Sequence, residues 1–359
     1  MPPIVVHAVI AALKVFYDRT EFGEMKMDAT RRRFLMVAGA TGLGASLGVA
    51  AHAGDSVVSE TGRRYAFTHI DVFTQQPLQG NPLDVFLDAH GLSDAQMLAI
   101  TRETFLSETT FVFPRDAATE REHGVRVRIF TPDGEIPFAG HPTLGTAMVL
   151  RNLHPGAGKV SEITLDLNIG RIPVTFLTDG AGRAFGEMRQ VPPAFGAVHD
   201  RQTVAGLHNL GVDDLADYGP IQTVSTGLPF AIVPLKRLST LQSLSFNTEK
   251  MNAYVARQPA NFGFYYVTAD TQDADVAFRS RCVWVGGEDA ATGSAAGCAI
   301  AWLVHCGAAS PDQSHRIRQG VEMKRPSDII VRASQDGDRI VNVRVGGYAV
   351  QTMRGQLTL

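Results

Sequence analysis

The chain has 359 residues, of which 45% are hydrophobic and 19% charged, with a formal net charge of −3. That composition supplies a large core and excludes global disorder, and the lack of any run of like charges argues against nucleic acid or an anionic membrane as partner. Cys282, Cys298 and Cys306 show no CxxC or Cys/His spacing, so neither a metal site nor a disulfide framework is expected.

The stretch "TRRRFLMVAGATGLGASLGVAAHA" (Thr30 to Ala53) joins the paired Arg31 and Arg32 to a modest Gly/Ala-rich apolar run and the small-x-small Ala51-His52-Ala53. This is the pattern of a twin-arginine export signal, too short and glycine-rich for a membrane span. Residues 1–53 are expected to be that signal with an over-extended start, translation beginning at Met25 or Met27. The mature protein would then be periplasmic and free of the membrane. The alternative is an N-terminal helix with a chance arginine run in a cytoplasmic protein.

From Tyr65 the pattern is of short strands. "YAFTHIDVF" and "PLDVFLD" flank the turn-rich "TQQPLQGNP" and predict closely paired strands. "LSDAQMLAITRETF" predicts a helix capped by Ser93, with Leu98, Thr101 and Phe105 on one face. "SETTFVFP" reads as a strand, and "VRVRIFTP" alternates Val125, Val127 and Ile129 against Arg126 and Arg128, which buries one face. "GHPTLGTAMVLRNL" is helical from about Pro142, a residue suited to the first helical position.

The second half repeats the plan. Strands at "IQTVSTG" and "FAIVPLK" precede a helix at "NTEKMNAYVARQ" capped by Asn247; "FGFYYVTA" and "DVAFRSRCVWV" follow as strands. A second apolar helix starts after "GGEDAATGS", and "IRQGVEM", "DIIVRAS", "IVNVRVGGYAV" and "GQLTL" close the chain as strands. A helix apolar nearly all round needs cover on every side, and only strands are available to give it. The expected fold class is α+β: two pseudo-symmetric domains, each a β-barrel-like sheet wrapped around a central apolar helix, rather than a doubly wound parallel sheet. A boundary in the loop-rich Thr178–Gly196 segment gives domains at 64–185 and 186–359, with the closing strand a candidate to return to the first.

The starts of the two apolar helices, "AGHPTLG" (Ala139 to Gly145) and "ATGSAAG" (Ala291 to Gly297), suggest chemistry. Each helix start offers unpaired N–H groups and the positive end of the helix dipole, and Gly140 and Gly293 leave room for a ligand. Facing one another, they would clamp a carboxylate. Ordinary capping by Thr292 or Ser294 is the competing reading. Acid–base candidates lie nearby in sequence: Glu288 and Asp289 ahead of the second helix, His141 at the first, and Glu108 heading the apolar "LSETTFVF". Buried, Glu108 would carry a raised pKa; at a wet strand end it would be an ordinary surface acid.

In order, the blocks "HIDVFTQQPLQGNPLDVF", "LSETTFVF", "IFTPDGEIPFAGHPTLGTA", "RSRCVWVGGEDAATGSAAG", "QGVEMKRPSDIIV" and "VGGYAV" resemble the signatures of the phenazine-biosynthesis PhzF-like family, from His69 to Val350. The resemblance implies a diaminopimelate-epimerase-like fold with the site between two domains. It also implies a cofactor-independent isomerase that transfers a proton on a small carboxylate-bearing substrate, as a homodimer. Carried onto this chain, it makes Glu108 the general base and then acid, with His141, Asp289 and Ser294 in support, and Gly140, Gly293 and Ser294 binding the substrate. Epimerases of this fold place a cysteine at each helix start; neither start has one here, which disfavours a two-thiol racemase. The family's "EDPATGS" reads "EDAATGS", for which a slightly looser loop is expected. An epimerase or dehydratase using the same cleft, and a non-catalytic carboxylate-binding protein, are the rival expectations.

Overall fold

A computed structural model describes residues 62–154, 156, 160–284 and 286–359. The arginine-bearing segment 30–53 and the starts expected at Met25 or Met27 lie outside them. The first half comprises β1 (Arg64–Val72), β2 (Asn81–Phe86), α1 (Asp94–Thr104), β3 (Thr109–Phe113), α2 (Ala117–His123), β4 (Val125–Thr131), β5 (Gly134–Ile136), α3 (Gly140–Leu153), β6 (Glu162–Leu167), β7 (Gly170–Thr178) and β8 (Ala184–Arg189). The second comprises β9 (Ala194–Val198), α4 (Arg201–Leu207), β10 (Gln222–Ser225), β11 (Pro229–Pro234), α5 (Leu238–Ser243), α6 (Thr248–Val255), β12 (Gly263–Thr268), β13 (Phe278–Trp284), β14 (Gly287–Asp289), α7 (Gly293–His305), β15 (His315–Gln319), β16 (Ser327–Asp336), β17 (Arg339–Gly347) and β18 (Ala349–Thr358).

Strand pairing reveals a duplication. Neighbours in the first half run β18–β1–β2–β3–β4–β6–β7–β8, with β5 on β4. In the second they run β9–β10–β11–β12–β13–β15–β16–β17, with β14 on β13. Step by step the senses agree: antiparallel, antiparallel, parallel, antiparallel, parallel, antiparallel, antiparallel. Where these two runs of strands meet, β8 pairs antiparallel with β17. Each half also takes its outermost strand from just beyond the other's last strand, since β9 follows β8 and β18 follows β17.

A helix fills each half. α3 packs on β1, β2, β6 and β8, and α7 on β10, β11, β16 and β17. Every residue from Gly140 to Arg151 and from Gly293 to Val304 is buried. Large side chains such as Leu144, Met148, Ile300, Trp302 and Leu303 join the strands in one continuous core, each worth about 1.5–3 kcal/mol as apolar burial. The expected architecture, strands wrapped around two apolar helices, is the one observed.

Local signals explain most of the lesser elements. Ser93 caps α1 in a capping box with Gln96, and Asn247 caps α6 by accepting from the Lys250 amide. Phe105 departs from expectation. α1 ends at Thr104, and Phe105 turns into the left-handed region at φ 56°, 93% exposed, while Met97, Ile100 and Thr101 form the buried stripe. α3 begins at Gly140, two residues before Pro142; tertiary packing overrides the poor propensity of that first turn.

Candidate active site

The first turns of α3 and α7 abut where the halves meet. A Cβ placed on Gly140 would lie 2.3 Å from the Ser294 nitrogen and 2.5 Å from the Gly293 carbonyl carbon; one on Gly293 would lie 2.8 Å from the Phe73 ring. Backbone meets backbone here, so only glycine fits.

Neither helix has a side-chain cap. Thr292 occupies the N-cap of α7, yet its hydroxyl donates to Asp289 Oδ2 at 2.6 Å and accepts from Gln319 Nε2 at 3.0 Å. The competing reading, capping by Thr292 or Ser294, is not what is found; Asp289 has claimed the Thr292 hydroxyl. In an α-helix the first N–H groups have no intrahelical acceptor. Gly140 and His141 thus present amides from one helix, and Gly293, Ser294 and Ala295 from the other, in a buried setting where the two positive dipole ends reinforce each other.

Titratable groups ring this junction. Asn81, at the start of β2, has its side-chain amide nitrogen 2.8 Å from Asp289 Oδ1, 3.0 Å from the Ala291 carbonyl oxygen and 3.1 Å from His141 Nδ1. Both Asp289 oxygens are thereby engaged, one by Asn81 and the other by Thr292. On its far side, His141 Nε2 faces Glu108 Oε2 at 3.8 Å. Each of those two atoms is buried without a hydrogen-bond partner among the described residues. Glu108 is 16% exposed and His141 2%, so the imidazole is the more deeply enclosed of the two.

Burial, aided by the negative charge of Asp289, pushes Glu108 up to about 8 against a hydrogen bond from Ser107. Burial brings His141 down to about 4, with Asp289 and a hydrogen bond to the Pro82 carbonyl acting the other way. At neutral pH the site holds a neutral imidazole beside a carboxyl group that is mostly protonated yet within reach of ionisation. That is the range in which a carboxyl both takes and gives protons.

Glu108, His141, Asp289, Ser294, Gly140 and Gly293 therefore converge. Glu288 does not: it turns away into a two-pronged pair with Arg281, at 2.7 and 2.8 Å. The thiols near the junction are buried and held protonated: Cys282 stands opposite Asp289 in the β13–β14 pairing, and burial raises it well above the ordinary thiol range. Cys298 lies inside α7 with its sulfur 3.4 Å from Thr226 Oγ1 and 3.5 Å from the Leu228 carbonyl oxygen, its pKa pushed up to about 12 by burial. The loop carrying Ala290 is tied down by side chains of the second half. Gln319 donates to the Asp289 carbonyl at 2.8 Å and accepts from the Thr292 amide at 3.2 Å, and Ser327 Oγ donates to the Ala290 carbonyl at 3.3 Å.

Asn81, Thr292 and Gln319 carry no signal of their roles in the sequence. A neutral amide or hydroxyl has no titration to mark it; the one pointer is "QGNP", where Gly80 adopts φ 69° and its missing side chain leaves room for the Val72 carbonyl. Arg325, from the second half, holds that turn by donating to the Gly80 and Gln79 carbonyls at 2.7 and 2.8 Å and to Asp71 at 2.6 Å.

The duplicated strand-and-helix fold thus brings two buried helix starts against each other beside Glu108, His141 and Asp289, and fold and site together define the class. Residues 70–355 match the family model for phenazine biosynthesis-like proteins, and the chain belongs to that family. It is 34% identical to trans-2,3-dihydro-3-hydroxyanthranilate isomerase of Pseudomonas chlororaphis, over 81% of this chain and 98% of the relative. It is likewise 34% identical to an uncharacterized isomerase of Mesorhizobium japonicum, over 80% and 96%. Among solved structures it resembles a PhzF-family phenazine biosynthesis protein of Bacillus anthracis, with a TM-score of 0.73, 26% identity and coverage of 83% and 100%. It also resembles a predicted epimerase of Pseudomonas aeruginosa, with a TM-score of 0.69, 34% identity and coverage of 82% and 99%. The protein is an isomerase of this family.

Proposed function

We propose that this isomerase moves a proton between carbon atoms of a small substrate that bears a carboxylate, in the junction between the halves. The observation that carries the reading is the pair of buried, uncapped helix starts packed against each other beside Glu108. Five amides from Gly140, His141, Gly293, Ser294 and Ala295 would bind the substrate carboxylate and take up the charge that spreads onto it when an adjacent C–H bond breaks. Ionised Glu108 takes that proton, the electron pair enters the system conjugated with the carboxylate, and Glu108 returns the proton at another carbon. Neutral His141 flanks the carboxyl throughout, and Asn81 and Thr292 hold Asp289 in place.

The trans-2,3-dihydro-3-hydroxyanthranilate named for the Pseudomonas chlororaphis relative is the first substrate to try, followed by a panel of small unsaturated carboxylates. Wild-type protein in deuterated solvent should exchange a carbon-bound proton of one of these compounds, and Glu108→Gln should lower that exchange by at least ~10³-fold, as expected for losing the one proton-transferring group. Full exchange by the variant would sink the mechanism.

A further inference from the structure

Beneath the first turn of α7 lies a polar bracket that the duplicated fold does not require. Gln190 follows β8 in the segment crossing to the second half and is 5% exposed. Its Nε2 donates to the Gly293 carbonyl at 3.0 Å, and its Oε1 accepts from Thr226 Oγ1 at 2.6 Å. Its amide occupies the space beside Gly297 so fully that a Cβ there would lie 1.9 Å from the Gln190 oxygen.

The twin half is the internal control. Where α7 has Gly297, four residues after its first glycine, α3 has Leu144, four residues after Gly140, fully buried in the apolar core. Carrying the matching registers through each half sets Gln190, one place beyond β8, against Gly347 at the end of β17, which has no side chain. One half thus fills the space under its helix start with a leucine, while the other gives up that side chain and buries an amide. The fold is satisfied either way, so the amide answers to something other than the fold.

The geometry points to Gln190, oriented by Thr226, as a positioning residue for the anion-binding end of α7, an inference that rests on the proposed function. The Gly293 carbonyl and the Ser294 N–H belong to one planar trans peptide, so the two point in opposite directions. A bond that fixes the carbonyl toward Gln190 fixes the N–H toward the junction, where the Ser294 nitrogen stands against Gly140. Gln190 does not touch the substrate; it sets the direction of an amide that does.

The test uses the full protein, with anthranilate, benzoate and acetate as carboxylate probes read by calorimetric titration and deuterium exchange as a second readout. Gln190→Met, similar in shape but without the donor, should weaken binding of the probe by about tenfold or more, and Thr226→Val by severalfold. Gln190→Glu keeps the donor only while protonated. Its affinity relative to wild type should therefore be near one at pH 5.5 and fall at least tenfold by pH 9, a change that packing alone would not produce. Binding by Gln190→Met within twofold of wild type would overturn the inference; if that variant does not fold, Thr226→Val and the pH ratio for Gln190→Glu decide in its place. Wild-type binding without exchange of any substrate would refute the proposed reaction while leaving Gln190's role standing. No binding of any probe by wild type would refute both.

Discussion

At the scale of single residues, the site is expensive to keep. Glu108 ionises near pH 4.5 in an unfolded chain and near 8 in the folded one. Between those values the folded state holds a proton that the unfolded state has released, so stability falls as pH rises from about 4.5 to about 8. His141 acts in the opposite sense lower down: its folded value near 4 lies below the ordinary 6.5, so stability rises with pH across that interval. Glu108→Gln removes only the first effect. The variant should therefore match wild type in thermal stability near pH 4.5 and exceed it by a few kcal/mol at pH 8, the gap widening by on the order of 1.4 kcal/mol for each step of one in pH between the two values. Thermal melts of both proteins across that range check it; a gap that does not change with pH would show that Glu108 is not held neutral. The same value predicts that kcat/KM for exchange rises with pH through about 8, since the base must first ionise.

Which site residues are legible in the sequence follows from their chemistry. Glu108, His141 and Asp289 stand out because a charge or an imidazole beside apolar or glycine-rich segments calls for an explanation. Asn81, Thr292 and Gln319 do not, because amides and hydroxyls are at home in any turn. Asn81 reaches a partner more than 200 residues away, a distance that local reading does not cross. Phe105 misleads for a related reason: helical spacing continues through it, but the left-handed turn that follows α1 is set by where β3 must begin.

At the scale of elements, the two apolar helices are evident because only a completely enclosed helix tolerates so few polar residues. The short α2, α4 and α5, of six or seven residues each, carry too few turns to declare a period. The contact between helix starts yields its own prediction. Gly140→Ala drives a methyl group into the Gly293–Ser294 backbone, so the helices must separate by about 1 Å to reach ordinary contact. Expected results are a loss of about 2–4 kcal/mol in denaturant unfolding, as for a buried steric conflict, and loss of exchange out of proportion to the loss of folded protein. Gly180→Ala, at a site with open space around it and no left-handed backbone, serves as the comparison. Equal behaviour of the two variants would mean that the helix starts have room to part.

At the scale of the whole molecule, the sequence tells of repetition and makes the closing strand a candidate to return to the first half, as β18 does on β1. Alternation shows which strands have a wet face; it says nothing about β8 pairing with β17, which is a long-range choice. The return of β18 has a mechanical side. Removing residues 349–359 would strip β18 from β1 and bare a nine-residue edge in the first half. An exposed edge of that length invites pairing between chains. The truncated protein should elute as soluble oligomers or aggregate on size exclusion, whereas trimming Leu359 alone should leave the elution of the full chain unchanged. A monodisperse, native-like truncation product would show that β1 needs no cover.

The exchanged strand also dictates timing. As a ribosome makes this chain, β1 to β8 emerge first, but the strand that covers β1 is made only after the rest of the second half. At roughly 5–20 residues per second, the first half waits on the order of 10 s with its sheet unfinished, while β9, the strand that completes the second half, is already in place when that half begins to form. The half built first is therefore finished last, and a newborn chain passes through a stage at which its older end is the part in need of protection.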